Sequence, residues 1–519
     1  MGETHNHDHH NHSQNNHPPP PSQPMAPPPP QPGSHLPMGA ARGPIFQPQE
    51  QLTNLHYCIH SNPSWHQTCI LGFQHYIVML GTTILITNSI VPAMGGNRGD
   101  KARVIQSLLF MSGINTLIQT LIGSRLPVVM GPSYVYLIPV MTIIHSNNSG
   151  YFASEHQRFI HNIRTVQGSL IVSSFVSIIL GFSKAWGNLT RLFSPVVIVP
   201  VVSVVGLGLF ARGFPQYAKR IHSRAHSILE RYALLICMGI IWAFAAILTA
   251  GGVYNRVKDQ TKMSCRTDRN FLVSSAPWIK IPYPFQWGTP IFSAGSVFGM
   301  MGAALVASAE TTGTFYAAAR LSGATPPPAH VLSRSIGWQG ISMLLDGLFG
   351  TVVGTTASVE NVGLLGLTHV GSRRVVQVST AFMIFFSIFG KFGAFFASIP
   401  LPIFAAIYCI LYGIVAANGI SFIQFTNNNS MRNMYVLGLS LFLGISIPYY
   451  FMSYTMSANH GPVNTGGSWF NDILNAIFSS PATVAMIVGT LLDITLEPRD
   501  TALDRGVHGG FLSKTERVR

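Results

Sequence analysis

The sequence predicts an all-α membrane protein that crosses the bilayer many times. Of its 519 residues, 47% are apolar and only 9% are charged, whereas an ordinary soluble domain has about 25% charged residues. The apolar residues form successive runs of roughly 20 residues, the length that crosses the hydrocarbon core of a bilayer. So few charges exclude a water-soluble globular protein, and the high hydrophobicity excludes a largely disordered chain.

The chain begins with a polar tail, residues 1–50, which we expect to be disordered and cytoplasmic. Several histidines precede two four-proline runs, Pro18–Pro21 and Pro27–Pro30, and this composition is typical of a disordered, partly polyproline segment. Weak transition-metal binding is the alternative for a histidine tract. A metal transporter is disfavoured, because no apolar run holds histidine and carboxylate at ligand spacing, and we expect no metal site.

About thirteen apolar runs follow the tail, and they divide into two halves. We expect a first repeat over residues 51–252, an extramembrane loop over 253–291, a second repeat over 292–496 and a C-terminal tail over 497–519. The runs are 66–94, 104–123, 126–144, 160–183, 192–211, 232–252, 292–319, 332–353, 355–371, 374–399, 401–424, 433–452 and 469–496.

The third run of each half is a poor helix. Run 126–144 carries three prolines, and run 355–371 carries three glycines around the carboxylate of Glu360. Short spans interrupted by Gly or Pro at matching places in two halves indicate a transporter built from inverted repeats. We therefore expect two short extended stretches within broken helices.

One helix of the first repeat is missing from this count, because the first half has six runs and the second has seven. The stretch 211–231 contains five Arg and Lys residues and cannot cross a bilayer. With six spans the second half would have the same orientation as the first, and the basic stretch would lie outside, against the positive-inside tendency. The orientation of the second half and of the C terminus therefore stays open.

Ionisable groups in mid-membrane are costly and are functional candidates by default. His75 lies in the first run, Glu310 lies among small residues in a long run, and Glu360 opens the Leu-rich part of a broken one. The structural alternative for Glu310 is a carboxylate that caps a neighbouring helix. Asp346 and Lys391 lie nearer the ends of their runs, where they could reach water, and we expect them to be structural.

The two broken spans could face each other halfway through the bilayer and form a binding site. The Glu360-Asn361 start indicates a half-helix with free N–H donors, and its counterpart is the extended stretch 130–134. Carboxylates would accept N–H bonds, backbone N–H groups would donate to carbonyls, and Tyr134 would offer a stacking face. This combination predicts a small planar ligand rich in N–H and C=O groups.

Three motifs in these runs are specific when taken together. They are Glu360-Asn361-x-Gly363-(x)4-Thr368, Phe73-Gln74-His75-Tyr76 and Ser308-Ala-Glu310. They resemble the signature, the first-helix motif and the eighth-helix glutamate of the nucleobase–ascorbate transporter family (nucleobase cation symporter type 2, or xanthine/uracil permease family), plant branch. The resemblance covers residues from about Leu52 to about Thr495. His369 stands where that family usually has Arg or Lys.

The resemblance implies a core-and-gate fold of two inverted repeats. The core would comprise 66–183 and 292–399, and the gate would comprise 192–252, which is incomplete, and 401–496. The substrate-binding residues implied by motif position are Glu310, Glu360, the backbone N–H groups of Tyr134 and Val359, and the supporting residues Asn361, Gln74, His75 and Ser133. Glu310 would also couple transport to protons.

The leading hypothesis is a proton-coupled symporter of purine-type nucleobases such as xanthine or uric acid, in the plasma membrane. It would work by elevator-like alternating access, as a homodimer formed through the gate. The alternative is a transport-incompetent truncated variant that pairs with full-length relatives. The residues do not rank the nucleobases or decide between proton and sodium coupling. We expect no cofactor and no nucleic-acid partner, and an enzyme is least favoured because no nucleophile–base pair or HExxH helix is present.

Overall fold

The computed structural model describes most of the chain between Leu55 and Leu496. The described residues are 55–147, 152–190, 194–207, 227–257, 265–267, 278–391, 399–458 and 460–496. The tails 1–50 and 497–519 and most of the basic stretch 211–231 lie outside the described residues, as does part of the loop 253–291. The expectations for those segments stay predictions.

The described residues form fifteen α-helices, two short strands and two 3₁₀ turns. The helices are α1 (Trp65–Met94), α2 (Arg98–Leu121), α3 (Leu137–Asn147), α4 (Glu155–Phe182), α5 (Ala185–Thr190), α6 (Pro195–Leu207), α7 (Ser227–Ala250), α8 (Ala294–Leu321), α9 (Ala329–Phe349), α10 (Val359–Thr368), α11 (Arg373–Ile388), α12 (Leu401–Ser421), α13 (Met431–Ala458), α14 (Ser468–Phe478) and α15 (Pro481–Thr495). The strands are β1 (Met130–Pro132) and β2 (Thr355–Ala357), and the 3₁₀ turns are Tyr134–Tyr136 and Phe422–Phe425. This architecture confirms the predicted all-α class.

Several of these helices have the length and composition of membrane spans. Five segments of the described chain are long and apolar enough to cross a bilayer: Trp65–Met94, Gly99–Leu121, Glu155–Phe182, Pro402–Phe425 and Met431–Thr455. Four shorter apolar helices accompany them: Tyr134–His145, Pro195–Leu207, Leu234–Ala250 and Pro481–Thr495. The helices that begin or end at the strands need not span the bilayer alone, because each continues an extended segment.

Local sequence sets where these helices begin and end. Asn97 and Asp100 form a capping box at the start of α2, in which each side chain accepts the other residue's N–H, an arrangement that satisfies N–H groups without a helical partner. Gly95, with a φ of +93°, ends α1, a conformation that glycine adopts at no steric cost. The predicted single run 469–496 is wrong, because Ser480 caps a new helix that starts at Pro481, and proline is favoured at the first position of a helix.

The two strands lie in the predicted broken helices and pair with each other. They run antiparallel, with Gly131 opposite Thr356, and every residue in them is buried. β1 leads through a 3₁₀ turn into α3, and β2 leads through Ser358 into α10. Extended backbone inside a bilayer needs partners for its N–H and C=O groups; the strands supply part of them for each other, and side chains of neighbouring helices supply others. The expected pair of short extended stretches is confirmed.

The order of elements occurs twice along the chain. Helices α1 and α2, strand β1 and helices α3 and α4 correspond to α8, α9, β2, α10 and α11. The packing is reciprocal, because α2 contacts α11 while α4 contacts α9, and α6 contacts α12. Reciprocal contacts around an antiparallel strand pair are what two inverted repeats produce.

Side chains from the second helix of each half hold the strands in place. The Asp346 carboxylate of α9 accepts the Thr355 N–H at 3.0 Å and an N–H of the Asn115 amide at 3.0 Å. In the other half, Thr116 Oγ1 of α2 accepts the Met130 N–H at 2.8 Å. Asp346 is fully buried, so it does not reach water as its place near the end of a run suggested. It has the expected structural role, because it anchors β2 from within the helix bundle.

We expect Asp346→Ala to destabilise the protein. The change leaves two buried donors without their acceptor, and each such loss costs about 1–3 kcal/mol, so the free energy of unfolding should fall by about 3 kcal/mol. Thermal unfolding of the detergent-solubilised protein measures this loss. Glu155→Ala is the control, because the Glu155 carboxylate is exposed and its pair with Arg158 should contribute little. Equal unfolding temperatures for the two variants would contradict the anchoring role.

Candidate functional site

A cavity of about 80 Å³ lies next to the first broken helix and α8. Tyr134 and Glu310 line it on one side, and Tyr449 of α13 with Ser479 and Ser480, at the break between α14 and α15, line it on the other. Most of the remaining lining is aliphatic. A largely apolar pocket with a few converging polar groups is the usual form of a small-molecule site.

Glu310 lies within α8 at the level of the strands. The hydroxyl of its neighbour Thr311 accepts the Ala357 N–H of β2 at 3.3 Å, and this contact fixes α8 against the strand. Small residues surround the glutamate, among them Ala307 and Ala309, which are buried, and they let the neighbouring backbones approach closely. The carboxylate of Glu310 is therefore placed at a cavity wall by a closely packed helix.

Tyr134 is placed by the end of β1. Ser133, the residue before it, donates its backbone N–H to the Gly354 carbonyl at 3.1 Å, and its hydroxyl accepts the Val135 N–H at 3.2 Å. These bonds connect the turn after β1 to the residue before β2. Ser133 thus holds the turn that presents the Tyr134 ring to the cavity.

The Glu360 carboxylate is buried and held by hydroxyl groups. It accepts hydrogen bonds from Tyr412 at 2.7 Å, from Ser358 at 2.8 Å and from Thr82 at 3.3 Å. Only 4% of Glu360 is exposed, and it is not among the cavity-lining residues. The structure therefore places the two acids differently, with Glu310 at the cavity wall and Glu360 in a hydrogen-bonded network.

Asn361 connects this network to α1. Its side-chain oxygen lies 2.9 Å from His75 Nδ1, and its amide nitrogen donates to Ser358 Oγ at 2.9 Å. An amide oxygen can only accept, so His75 carries its proton on Nδ1 in this arrangement. Gln74, the residue before His75, is fully buried in α1. The structure thus brings the first-helix motif and the start of the signature helix together.

Tyr134 lines the cavity, and the strand before it, β1, pairs with β2, which leads into α10. Val359 and Glu360 are the first residues of α10, and no carbonyl of their own helix can reach their N–H groups. A flat ligand beside Tyr134 would meet the Glu310 carboxylate, and the start of α10 offers backbone donors.

The other signature residues serve α10 itself. Gly363 packs against the backbone of Leu411, and the Thr368 hydroxyl donates to the Leu364 carbonyl of its own helix at 2.8 Å. His369 ends α10 in the left-handed region with a φ of +53°, and its ring contacts the ring of His56 at a centroid distance of 6.0 Å. The structure therefore does not bring His369 to the cavity.

Sequence reasoning missed the polar residues that α12 contributes. Tyr408 and Tyr412 are four residues apart on this helix and face the same side; Tyr408 donates to the Val78 carbonyl at 2.8 Å and lies 3.1 Å from Thr82 Oγ1. Two phenols at this spacing in an apolar run are a signal in themselves, because a buried tyrosine hydroxyl usually finds a partner. Ser479 and Ser480 were missed because the break before α15 was not predicted.

A family model described as the Permease family matches residues 66–227 and 220–453. Nucleobase-ascorbate transporter 3 of Arabidopsis thaliana is 66% identical over 497 residues, which cover 92% of this chain and 90% of the relative. Nucleobase-ascorbate transporter 2 of the same plant is 54% identical over 480 residues, with 89% and 92% covered. Among solved structures, the transmembrane domain of a cyanobacterium bicarbonate transporter, BicA, is 12% identical with a TM-score of 0.41, over 84% of this chain and 99% of that one. The chain belongs to the nucleobase–ascorbate transporter family and is a multi-pass membrane transporter, not an enzyme.

Proposed function

We propose that this chain is a proton-coupled symporter of purine-type nucleobases such as xanthine or uric acid, located in the plasma membrane. Relatives named as nucleobase-ascorbate transporters support the substrate class. The observation that carries the proposal is the cavity that Glu310 and Tyr134 share next to the broken helices. A carboxylate, an aromatic ring and backbone donors are the groups that a flat heterocycle with N–H and C=O edges requires.

Each residue of the site has a chemical role in this proposal. Glu310 accepts an N–H of the base, Tyr134 stacks on its ring, and the first N–H groups of α10, at Val359 and Glu360, donate to its carbonyl oxygens. The Glu360 carboxylate accepts a second N–H. Glu310 also carries the coupling proton, since a neutral carboxyl is less costly to move through the bilayer than a charged one.

The supporting residues hold the half-helix that contacts the base. His75 and Asn361 join α1 to the start of α10, with Gln74 beside them, and Ser133 fixes the turn before Tyr134. Their substitution should therefore reduce affinity through the geometry of the site.

The cavity lies where a moving core would meet a fixed gate. One wall comes from α3, α8 and the turn before α3, within the proposed core of 66–183 and 292–399. The other wall comes from α6 and from α13 to α15, within the proposed gate of 192–252 and 401–496. An elevator-like movement of the core past the gate would carry the base across the bilayer, and the gate would also form the homodimer.

Uptake of radiolabelled xanthine into cells without their own nucleobase uptake tests the proposed function. We expect saturable uptake above that of cells with empty vector, faster at acidic than at neutral external pH, and sensitive to a protonophore. Excess unlabelled uric acid should compete, and ascorbate should not. Uptake that is unaffected by pH and by the protonophore, but requires sodium, would overturn proton coupling while leaving the substrate class intact.

The alternative hypothesis, a transport-incompetent variant that pairs with full-length relatives, concerns the stretch 211–231. Most of that stretch lies outside the described residues, so the alternative stays a prediction. Two results together would favour this alternative. The protein would reach the plasma membrane without taking up any nucleobase, and it would gain uptake when an apolar helix is inserted in this stretch.

A further inference from the structure

The shortest hydrogen bond to the Glu360 carboxylate comes from α12 and not from α10, the helix that carries Glu360 itself. Ser358 precedes α10 and Thr82 belongs to α1, whereas Tyr412 belongs to α12, which packs against α10. The Tyr412 hydroxyl donates to Glu360 Oε1 at 2.7 Å, and the phenol is 4% exposed. A short bond between two buried groups on different helices fixes both side chains.

Counting hydroxyl protons shows that Tyr412 is the committed donor to Oε1. The single proton of Tyr408 goes to the Val78 carbonyl, so a bond between Tyr408 and Thr82 must use the proton of Thr82. That same proton is the one that Thr82 would donate to Glu360 across 3.3 Å. Each hydroxyl has only one proton. Thr82 therefore divides its proton between two acceptors, while Tyr412 has Glu360 as the one acceptor among its described hydrogen bonds.

The backbone around Tyr412 keeps its hydroxyl in place. Gly363 of α10 packs against the carbonyl and Cα of Leu411, the residue before Tyr412. Gly206 of α6 packs against the carbonyl of Tyr412 itself. Because both contacts involve backbone atoms, α12 cannot shift away from α10 without losing tight packing on two sides. The position of the Oε1 donor is thus determined by helix packing.

We propose that Tyr412 is a positioning residue for substrate recognition by Glu360. Tyr412 fixes Oε1, Ser358 fixes Oε2, and the carboxylate keeps acceptor capacity for an N–H of the base. The carboxylate is then already oriented when the substrate arrives, and binding does not have to order it. This inference rests on the proposed function, because it concerns the base that Glu360 would bind.

Replacing Tyr412 with phenylalanine removes the hydroxyl and keeps the ring. We expect Tyr412→Phe to raise the KM for xanthine uptake about tenfold, the effect of losing one hydrogen bond to a charged group, with maximal rate per surface transporter changed by less than about twofold. Ser421→Ala is the control on the same helix. It removes a hydroxyl that donates to the Asn418 carbonyl of its own helix and has no described bond to the Glu360 network, so its KM should stay near that of the wild type.

The KM comparison separates positioning from a merely structural role. A Tyr412→Phe KM within about twofold of the wild type, or an equal KM increase in Ser421→Ala, would overturn the proposal. Normal uptake by the wild type would then leave the proposed function standing. If Tyr412→Phe does not reach the cell surface, calorimetric binding of xanthine to the purified variant replaces the uptake measurement. We expect a Kd about tenfold weaker than that of the wild type. An unchanged Kd would contradict the proposal. Absence of wild-type uptake and binding would overturn both proposals together.

Discussion

Replacing Glu310 with alanine is expected to abolish nucleobase uptake. The change removes the carboxylate from the cavity wall and leaves a buried N–H of the base without its acceptor, a loss that costs about 3 kcal/mol where the donor or acceptor is charged. Such a loss corresponds to a roughly hundredfold lower uptake rate at low substrate concentration. The measurement is initial-rate uptake of radiolabelled xanthine, normalised to transporter at the cell surface.

Glu310→Gln separates substrate binding from proton coupling. Glutamine keeps the size of the side chain and an acceptor oxygen, but its amide cannot gain and release a proton. We expect this variant to bind xanthine while losing both the stimulation of uptake at acidic pH and the accumulation of xanthine against its gradient. Glu310→Ala with wild-type uptake would remove Glu310 from the site. Glu310→Gln with wild-type pH dependence would remove only its coupling role.

The broken helices were predictable because their sequence is incompatible with a regular span. Three prolines in run 126–144 and three glycines in run 355–371 each weaken a continuous helix, and both runs contain a strand in the structure. The pairing of the strands was not predictable in detail, because the register of Gly131 and Thr356 depends on α2 and α9 packing beside them. Periodicity within one run carries no information about that packing.

The candidate site was predictable only in its motif residues. Those residues stand out because ionisable side chains are rare in apolar runs. The partner of Glu360 was missed because Tyr412 is 52 residues further along the chain, and the spacing of the two phenols on α12 marks a polar face without naming its partner. The structural role expected for Asp346 agrees with its contacts, but the access to water expected from its place near the end of a run was wrong, because α2 supplies Asn115 to enclose it.

The glycine at the centre of the signature is needed for close packing of α10 on α12. A Cβ added at Gly363 would lie 2.5 Å from the Leu411 carbonyl oxygen and 2.9 Å from both the Leu411 carbonyl carbon and Cα. All three are backbone atoms, so relief requires one helix to move away from the other. That movement would also separate the Tyr412 hydroxyl from Glu360, because Tyr412 follows Leu411 directly.

Gly363→Ala is therefore expected to lose both stability and uptake. Overpacking costs about 1–3 kcal/mol, and we expect the upper end here because backbone atoms cannot change rotamer. Gly413→Ala is the matched control on α12: Gly413 is exposed and a Cβ there meets no atom within 4 Å, so alanine should be neutral or stabilising by up to about 1 kcal/mol. Surface abundance, thermal unfolding and xanthine uptake of the two variants give the comparison. Wild-type stability and uptake of Gly363→Ala would show that α10 and α12 can separate freely. The position of the Tyr412 hydroxyl would then not be fixed by helix packing, and its proposed role depends on that.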